Sequence, residues 1–163
     1  MLNVDVGDAP AELRAAVLAM KRADATVRRD VAQRMRETMN PAWRSEVTNG
    51  ATGMAGRVLA GGARIAGGNP PQLVAASSRR KIGRGIIPDR HWAGYEYGAD
   101  HRSTRTVTSS KGTRYRRHVM NHLPERGPGR VLEPAAARIL PRVAAYWVQS
   151  IVRAFMDAAD GKG

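Results

Sequence analysis

Apolar residues recur at helical spacing through residues 9 to 39, at Leu13, Val17, Met20, Val27, Val31, Met35 and Met39, with charges and alanines between them. That period describes one face of an amphipathic helix. Asp8 is a suitable cap and Pro10 suits the first turn. Asn40-Pro41 should end the helix, because proline disfavours helical geometry in the residue before it. Residues 43 to 47 have room for one further turn. A methionine-rich stripe of this kind is expected to face a core or a subunit rather than a ligand. A second long helix is predicted over 131 to 158, with Leu132, Ala136, Ile139 or Leu140, Val143, Trp147, Ile151 and Phe155 on one stripe. Glu133-Pro134 marks its start and Gly161 lies beyond its end, leaving 159 to 163 as a frayed tail. Pro141 falls inside it and should bend or split it, since proline cannot donate the backbone hydrogen bond.

Between the helices the period changes. Residues 49 to 71 contain seven of the 17 glycines, including the related runs LAGGAR and IAGGNP six residues apart. Glycine pairs weaken helix and strand alike and suit turns, bulges or close backbone approach. Weak strands are expected around 57 to 59 and 73 to 77, within a 55 to 78 segment. Residues 103 to 109 and 113 to 119 are rich in Thr, Val and Tyr and flank Ser110-Lys111-Gly112, which predicts a β-hairpin. Residues 123 to 130 read as a Pro- and Gly-dense loop. The whole, 1 to 163, is expected to be one α+β domain: two long helices packed on a small antiparallel sheet, with an extended basic loop and hairpin over 79 to 130.

Charge singles out that middle. Of the net +13, nine lie between Arg79 and Arg130, where thirteen Lys/Arg face only Asp89, Glu96, Asp100 and Glu125. Residues 1 to 78 carry ten basic and seven acidic side chains, and 131 to 163 carry four and three, so the flanks are nearly balanced. Only four of the 27 basic residues are lysines. Guanidinium forks suit phosphate and carboxylate recognition, although a GC-rich genome produces the same preference. The loop 79 to 85 holds Arg79, Arg80, Lys81 and Arg84 among glycines that disfavour a helix, and the hairpin holds Arg105, Arg114, Tyr115, Arg116 and Arg117. These nine are the expected interface residues.

The apolar fraction of 42 percent is mostly aliphatic, with one Phe, so the core should be thin, which favours oligomers. Absence of cysteine excludes disulfides and thiolate metal sites. No apolar run reaches the roughly 18 to 20 residues of a membrane span, and the acidic start is unlike a signal peptide, so an intracellular protein without membrane contact is expected. No glycine pattern followed by Lys-Ser/Thr makes a nucleotide site. His118 and His122 have an i, i+4 spacing but lack the Glu of His-Glu-x-x-His and precede Pro124, so no metal is expected. Glu96, beside Tyr95, Tyr97 and His91, is a candidate general base with no second carboxylate or nucleophile to complete it. A structural ion pair with arginine is the alternative reading, and neither catalysis nor a cofactor is expected. Basic strands with interleaved aromatics also fit DNA or RNA binding, though no known module matches.

Tyr95-Glu96-Tyr97-Gly98, an aromatic-Glu-aromatic-Gly segment, and Leu132-Glu133-Pro134-Ala135, a Leu-x-Pro-Ala helix start, occur in an order of elements that resembles the neck or tail-completion proteins of long-tailed bacteriophages. The hairpin run 111 to 115 and Tyr146-Trp147-Val148-Gln149 are compatible with that likeness, which spans about 11 to 158. Two departures stand out: a longer link before the last helix, which makes the hairpin an insertion, and Arg130-Val131 where the family carries a Pro-aromatic pair. The resemblance implies a virion structural protein at the head-to-tail joint. It would be a ring of six copies, contacting connector or stopper proteins on one side and the tail terminator or tail tube on the other, with DNA passing through. Tyr95, Glu96, Tyr97, Trp147, Ile151 and Phe155 are expected to serve packing. A free-standing DNA- or RNA-binding protein is the alternative.

Overall fold

A computed structural model describes residues 11–83, 85–102, 104–118 and 122–161. The chain order is α1 (Ala11–Arg22), α2 (Ala25–Gly50), α3 (Gly53–Leu59), β1 (Arg64–Ala66), β2 (Gln72–Val74), α4 (Pro88–Tyr97), β3 (Thr104–Thr108), β4 (Arg114–His118) and α5 (Leu132–Ala159). The fold is α+β: two long helices pack together, with two small antiparallel sheets, of which β1–β2 lies against α2 and β3–β4 forms a separate hairpin. Among the described residues no helix is long and apolar enough to cross a membrane.

The first predicted helix is two helices. Asp24 adopts extended backbone, and its Oδ1 accepts hydrogen bonds from Thr26 N at 2.8 Å and Val27 N at 2.9 Å, so an internal aspartate acts as an N-cap and restarts the helix. The proposed cap Asp8 and first-turn Pro10 lie outside the described residues. Asn40-Pro41 does not stop the chain: α2 runs through Pro41 to Gly50. Burial explains why. An interior proline costs about 3 kcal/mol, whereas continuing the helix buries Trp43 and Val47, which are 2% and 0% exposed. Burying a tryptophan's ~200 Å² at about 25 cal/mol per Å² alone stabilises by ~5 kcal/mol. Asn40, expected as a breaker, instead accepts a hydrogen bond from Ile65 N at 2.6 Å and ties α2 to β1.

The buried seam of α2 is Val27, Val31, Met35, Met39, Trp43 and Val47, a strict four-residue repeat. On a helix of 3.6 residues per turn such a repeat drifts by about 40° at each step, so the seam winds around the helix and no flat partner covers it. Three elements do so together: α5, β1 and α3 all pack on α2. α5 lies antiparallel to α2, with Arg34 to Asp157 at 2.6 Å, Thr38 to Tyr146 at 2.8 Å and Arg138 to Glu46 at 3.0 Å along the pair.

α5 also runs unbroken through its proline, so Pro141 neither splits nor ends it. Ile139 and Val143, flanking Pro141, are both buried. Ile139 rather than Leu140 is the core residue. Trp147 and Ile151 are buried as expected, but Phe155 is 40% exposed and Ala154 takes its place against the core. Four-residue steps drift by about 40° each on a helix of 3.6 residues per turn, so a step from Ile151 to Phe155 leaves the contact face while a three-residue step to Ala154 returns to it.

The glycine-rich segment differs most from expectation. Residues 57 to 59 belong to helix α3, not a strand, with Val58 and Leu59 fully buried. The first sheet pairs Arg64 with Val74, Ile65 with Leu73 and Ala66 with Gln72, so only 73 and 74 of the expected second strand are extended. Ala76, buried, takes a φ of 49° while its N–H bonds to Leu59 O at 3.0 Å. Left-handed backbone costs a residue with a Cβ roughly 1 kcal/mol or more. Ala76→Gly is therefore expected to raise stability by up to about 1 kcal/mol despite glycine's entropy, a change that urea unfolding would read as a higher midpoint. An unchanged or lower midpoint would show that the alanine methyl's packing outweighs the strain.

Candidate functional site

The aromatic-Glu-aromatic-Gly segment is the C-terminal part of α4, a helix opened by Pro88 at its first turn. Its Glu96 is fully buried and 35 to 37 residues short of the partners it meets. The carboxylate accepts from Val131 N at 3.2 Å, Leu132 N at 2.9 Å and Glu133 N at 3.2 Å, the first amides of α5. Val131, the residue before α5, offers no side-chain cap, so Glu96 supplies one from another helix. A carboxylate suits this place because helix N-termini present unsatisfied N–H groups and the positive end of the dipole.

This arrangement overturns the general-base reading of Glu96, and the arginine ion pair with it. Its oxygens are engaged by backbone amides, and none of the ion pairs of the described residues includes it. His91 turns its Nδ1 to its own helix start, 2.8 Å from Ile87 O. His118 Nδ1 lies 3.0 Å from His101 O, and His101 Nε2 lies 2.8 Å from Leu123 O, which fastens the base of the hairpin. No metal-binding cluster occurs among the described residues.

Around Glu96 the junction tightens. Gly98 has φ 78° and ψ −172°, and a Cβ there would strike the backbone carbonyls of Pro124 and Glu125. Ala99 N bonds to Pro124 O at 2.9 Å and Gly127 N to Tyr97 O at 2.8 Å. Tyr95 is buried, and Tyr97, half-buried, donates its hydroxyl to Glu133 Oε1 at 2.8 Å. The hydrogen bond to Glu133, then burial, raises the Tyr97 phenol above its ordinary value, and burial does the same for Tyr95. A phenol raised in the folded state contributes stability that is fully present below pH ~10 and lost as pH rises through the folded value. Tyr97→Phe should therefore flatten the decline of stability above pH ~10. Thermal melts across alkaline pH would refute this if the slope were unchanged.

Beside this junction a cleft of about 180 Å³ is lined by Asp89, Trp92, Tyr97 and Glu133, with Trp43 and Leu73 among its apolar residues. Trp92 and Tyr97 meet edge to face, centroids 5.9 Å apart at 62°. Two carboxylates and two aromatic rings make an acidic, cation-accepting surface. Sequence reasoning missed it because Asp89 and Glu133 are 44 positions apart.

Those of the expected interface residues that are described are exposed. Arg79, Arg80 and Lys81 lie on the loop, where Arg79 reaches Asp89 at 3.6 Å while 90% of its side chain stays exposed. Arg84 lies outside the described residues. β3 and β4 pair Thr104 with His118, Arg105 with Arg117, Thr106 with Arg116, Val107 with Tyr115 and Thr108 with Arg114. Opposite residues share a face. One face therefore carries Arg114, Arg116 and His118 among threonines, and the other carries Arg105, Arg117, Val107 and Tyr115. Only Val107 is half-buried, so this ribbon is covered on neither side. A further apolar surface, Val152, Phe155 and Met156 on α5, is also exposed.

Compared with protein-family models, curated proteins and solved structures, the chain matches none.

Proposed function

We propose that this protein is a structural component of a phage head-to-tail joint that assembles with copies of itself as a ring. The observation that carries the reading is the convergence of its two motif segments: Tyr95-Glu96-Tyr97-Gly98 closes on Leu132-Glu133-Pro134-Ala135 through one buried carboxylate. A shared packing role explains why both segments would recur together in a family of rings. The uncovered basic hairpin adds a surface that needs a partner, since a two-stranded ribbon is at best marginally stable alone. Ring contacts, neighbouring connector or tail proteins and DNA in the channel are the partners this reading supplies. No chemical step is part of it.

Size-exclusion chromatography with light scattering is the direct test. Oligomers at high protein concentration, or binding to neck or tail proteins, are expected; a monomer at every concentration that binds none of them would refute the ring.

One observation favours nucleic-acid binding as a second reading: Arg114 and Arg116 share a face with Thr104, Thr106 and Thr108, all phosphate-compatible donors. That reading requires affinity that falls steeply with salt, by about 0.9 in log K per log salt for each phosphate neutralised on duplex DNA. Filter binding with Arg114, Arg116 and Arg117 replaced by Ala should then lose it.

A further inference from the structure

Arg105 and Arg117 stand directly opposite each other on the hairpin, an arrangement that destabilises a ladder unless an anion lies across it. Among the described residues neither arginine takes part in an ion pair. Val107 and Tyr115 complete the same face, and Tyr115 is 45% exposed. Tyrosine and arginine beside an aliphatic residue are the composition of a protein interface rather than of a phosphate-binding surface. The opposite chemistry exists elsewhere on the same chain. In the cleft between α4 and the start of α5, Asp89 and Glu133 supply negative charge while Trp92 and Tyr97 supply ring surface over which a guanidinium can stack. Asp89 remains available, because its contact with Arg79 is long and solvent-exposed and such pairs are weak.

We propose that the Arg105/Arg117 face of the hairpin docks into the Asp89–Trp92–Tyr97–Glu133 cleft of a second copy of this chain. The inference rests on the ring reading and names its contact. Donor and acceptor surfaces lie at different places on one chain, so the contact is heterologous and repeats head to tail, the kind of interface that closes into rings. The hairpin is the strap and the Glu96-capped junction is its buckle: the cap fixes Glu133 at the first turn of α5, and Glu133 in turn holds Tyr97.

Two variants test the docking, each altering exposed side chains only. An arm variant carries Arg105→Ala and Arg117→Ala; a cleft variant carries Asp89→Arg. Thermal melts should match the parent protein for both. Alone, each should self-associate at least about tenfold more weakly than the parent. Mixed in equal amounts they retain one competent pair of surfaces, the arm of the cleft variant and the cleft of the arm variant. The mixture should therefore form heterodimers and stop there, as read by light scattering with one variant tagged. Rings that form normally from either variant would overturn the docking while leaving the ring reading intact. A parent protein that stays monomeric at every concentration and binds no neck or tail protein would overturn both. Loss of DNA binding by the arm variant with self-association unchanged would assign the hairpin to nucleic acid and refute the docking.

Discussion

Replacing Glu96 with alanine is expected to destabilise the protein by about 3 to 5 kcal/mol, because three amides at the start of α5 lose their acceptor together. A surface cap replaced by alanine costs about 1 kcal/mol. Glu96 is not a surface cap: it is 0% exposed, and water does not readily replace it. Unsatisfied buried donors cost about 1 to 3 kcal/mol each, and Glu133 N is only partly buried, which keeps the sum below three full penalties. For a chain of this size the midpoint should fall by roughly 10 °C. Glu96→Gln keeps one acceptor oxygen and should fall between the parent and the alanine variant. Calorimetry that found a change under about 1 kcal/mol for Glu96→Ala would mean that α5 starts on its own and that the junction does not depend on this carboxylate.

Gly98→Ala should produce an effect of similar size by a different route. The φ and ψ of 78° and −172° lie in a region that is essentially reserved for glycine, where a Cβ adds about 1 to 3 kcal/mol of strain. Space adds to the cost, since the new methyl would meet the carbonyl oxygens of Pro124 and Glu125, which are backbone atoms and cannot rotate aside. Relieving the clash means giving up the bonds from Ala99 N to Pro124 O and from Gly127 N to Tyr97 O, worth about 1 kcal/mol apiece. A total near 3 to 5 kcal/mol follows, visible as an earlier midpoint in urea. Because Glu96 and Gly98 hold the same junction, the double variant should lose less than the sum of the two. Strict additivity would show that the cap and the turn act independently.

Legibility followed distance along the chain. The stripes of α2 and α5 were readable because each is set by neighbours three or four positions away, and the hairpin because a glycine turn separates two Thr-rich runs. Neither proline interrupts its helix, and for one reason: the local cost of Pro41 and Pro141 is smaller than the burial gained by Trp43 and Val47 beyond the first, and by Val143, Trp147 and Ile151 beyond the second. Asp24 failed in the opposite sense. Its capping ability was present in the sequence, but the apolar period on both sides of it read as one helix. In the glycine-rich segment the local signal is weak everywhere, so contacts with α2 and α4 decide that Gly53–Leu59 is helical and that β1 starts at Arg64.

The amphipathic stripes, the basic middle and the hairpin are legible in the chain because periodicity, charge and turn chemistry are local properties. What Glu96 does is settled by tertiary contacts. Read locally, a carboxylate with tyrosines on both sides pointed to an ion pair ahead of an incomplete general base, and its role as a cap is set by amides 35 to 37 positions away. The acidic cleft beside the cap likewise exists only once α4 and the start of α5 are brought together, because its negative charge comes from both.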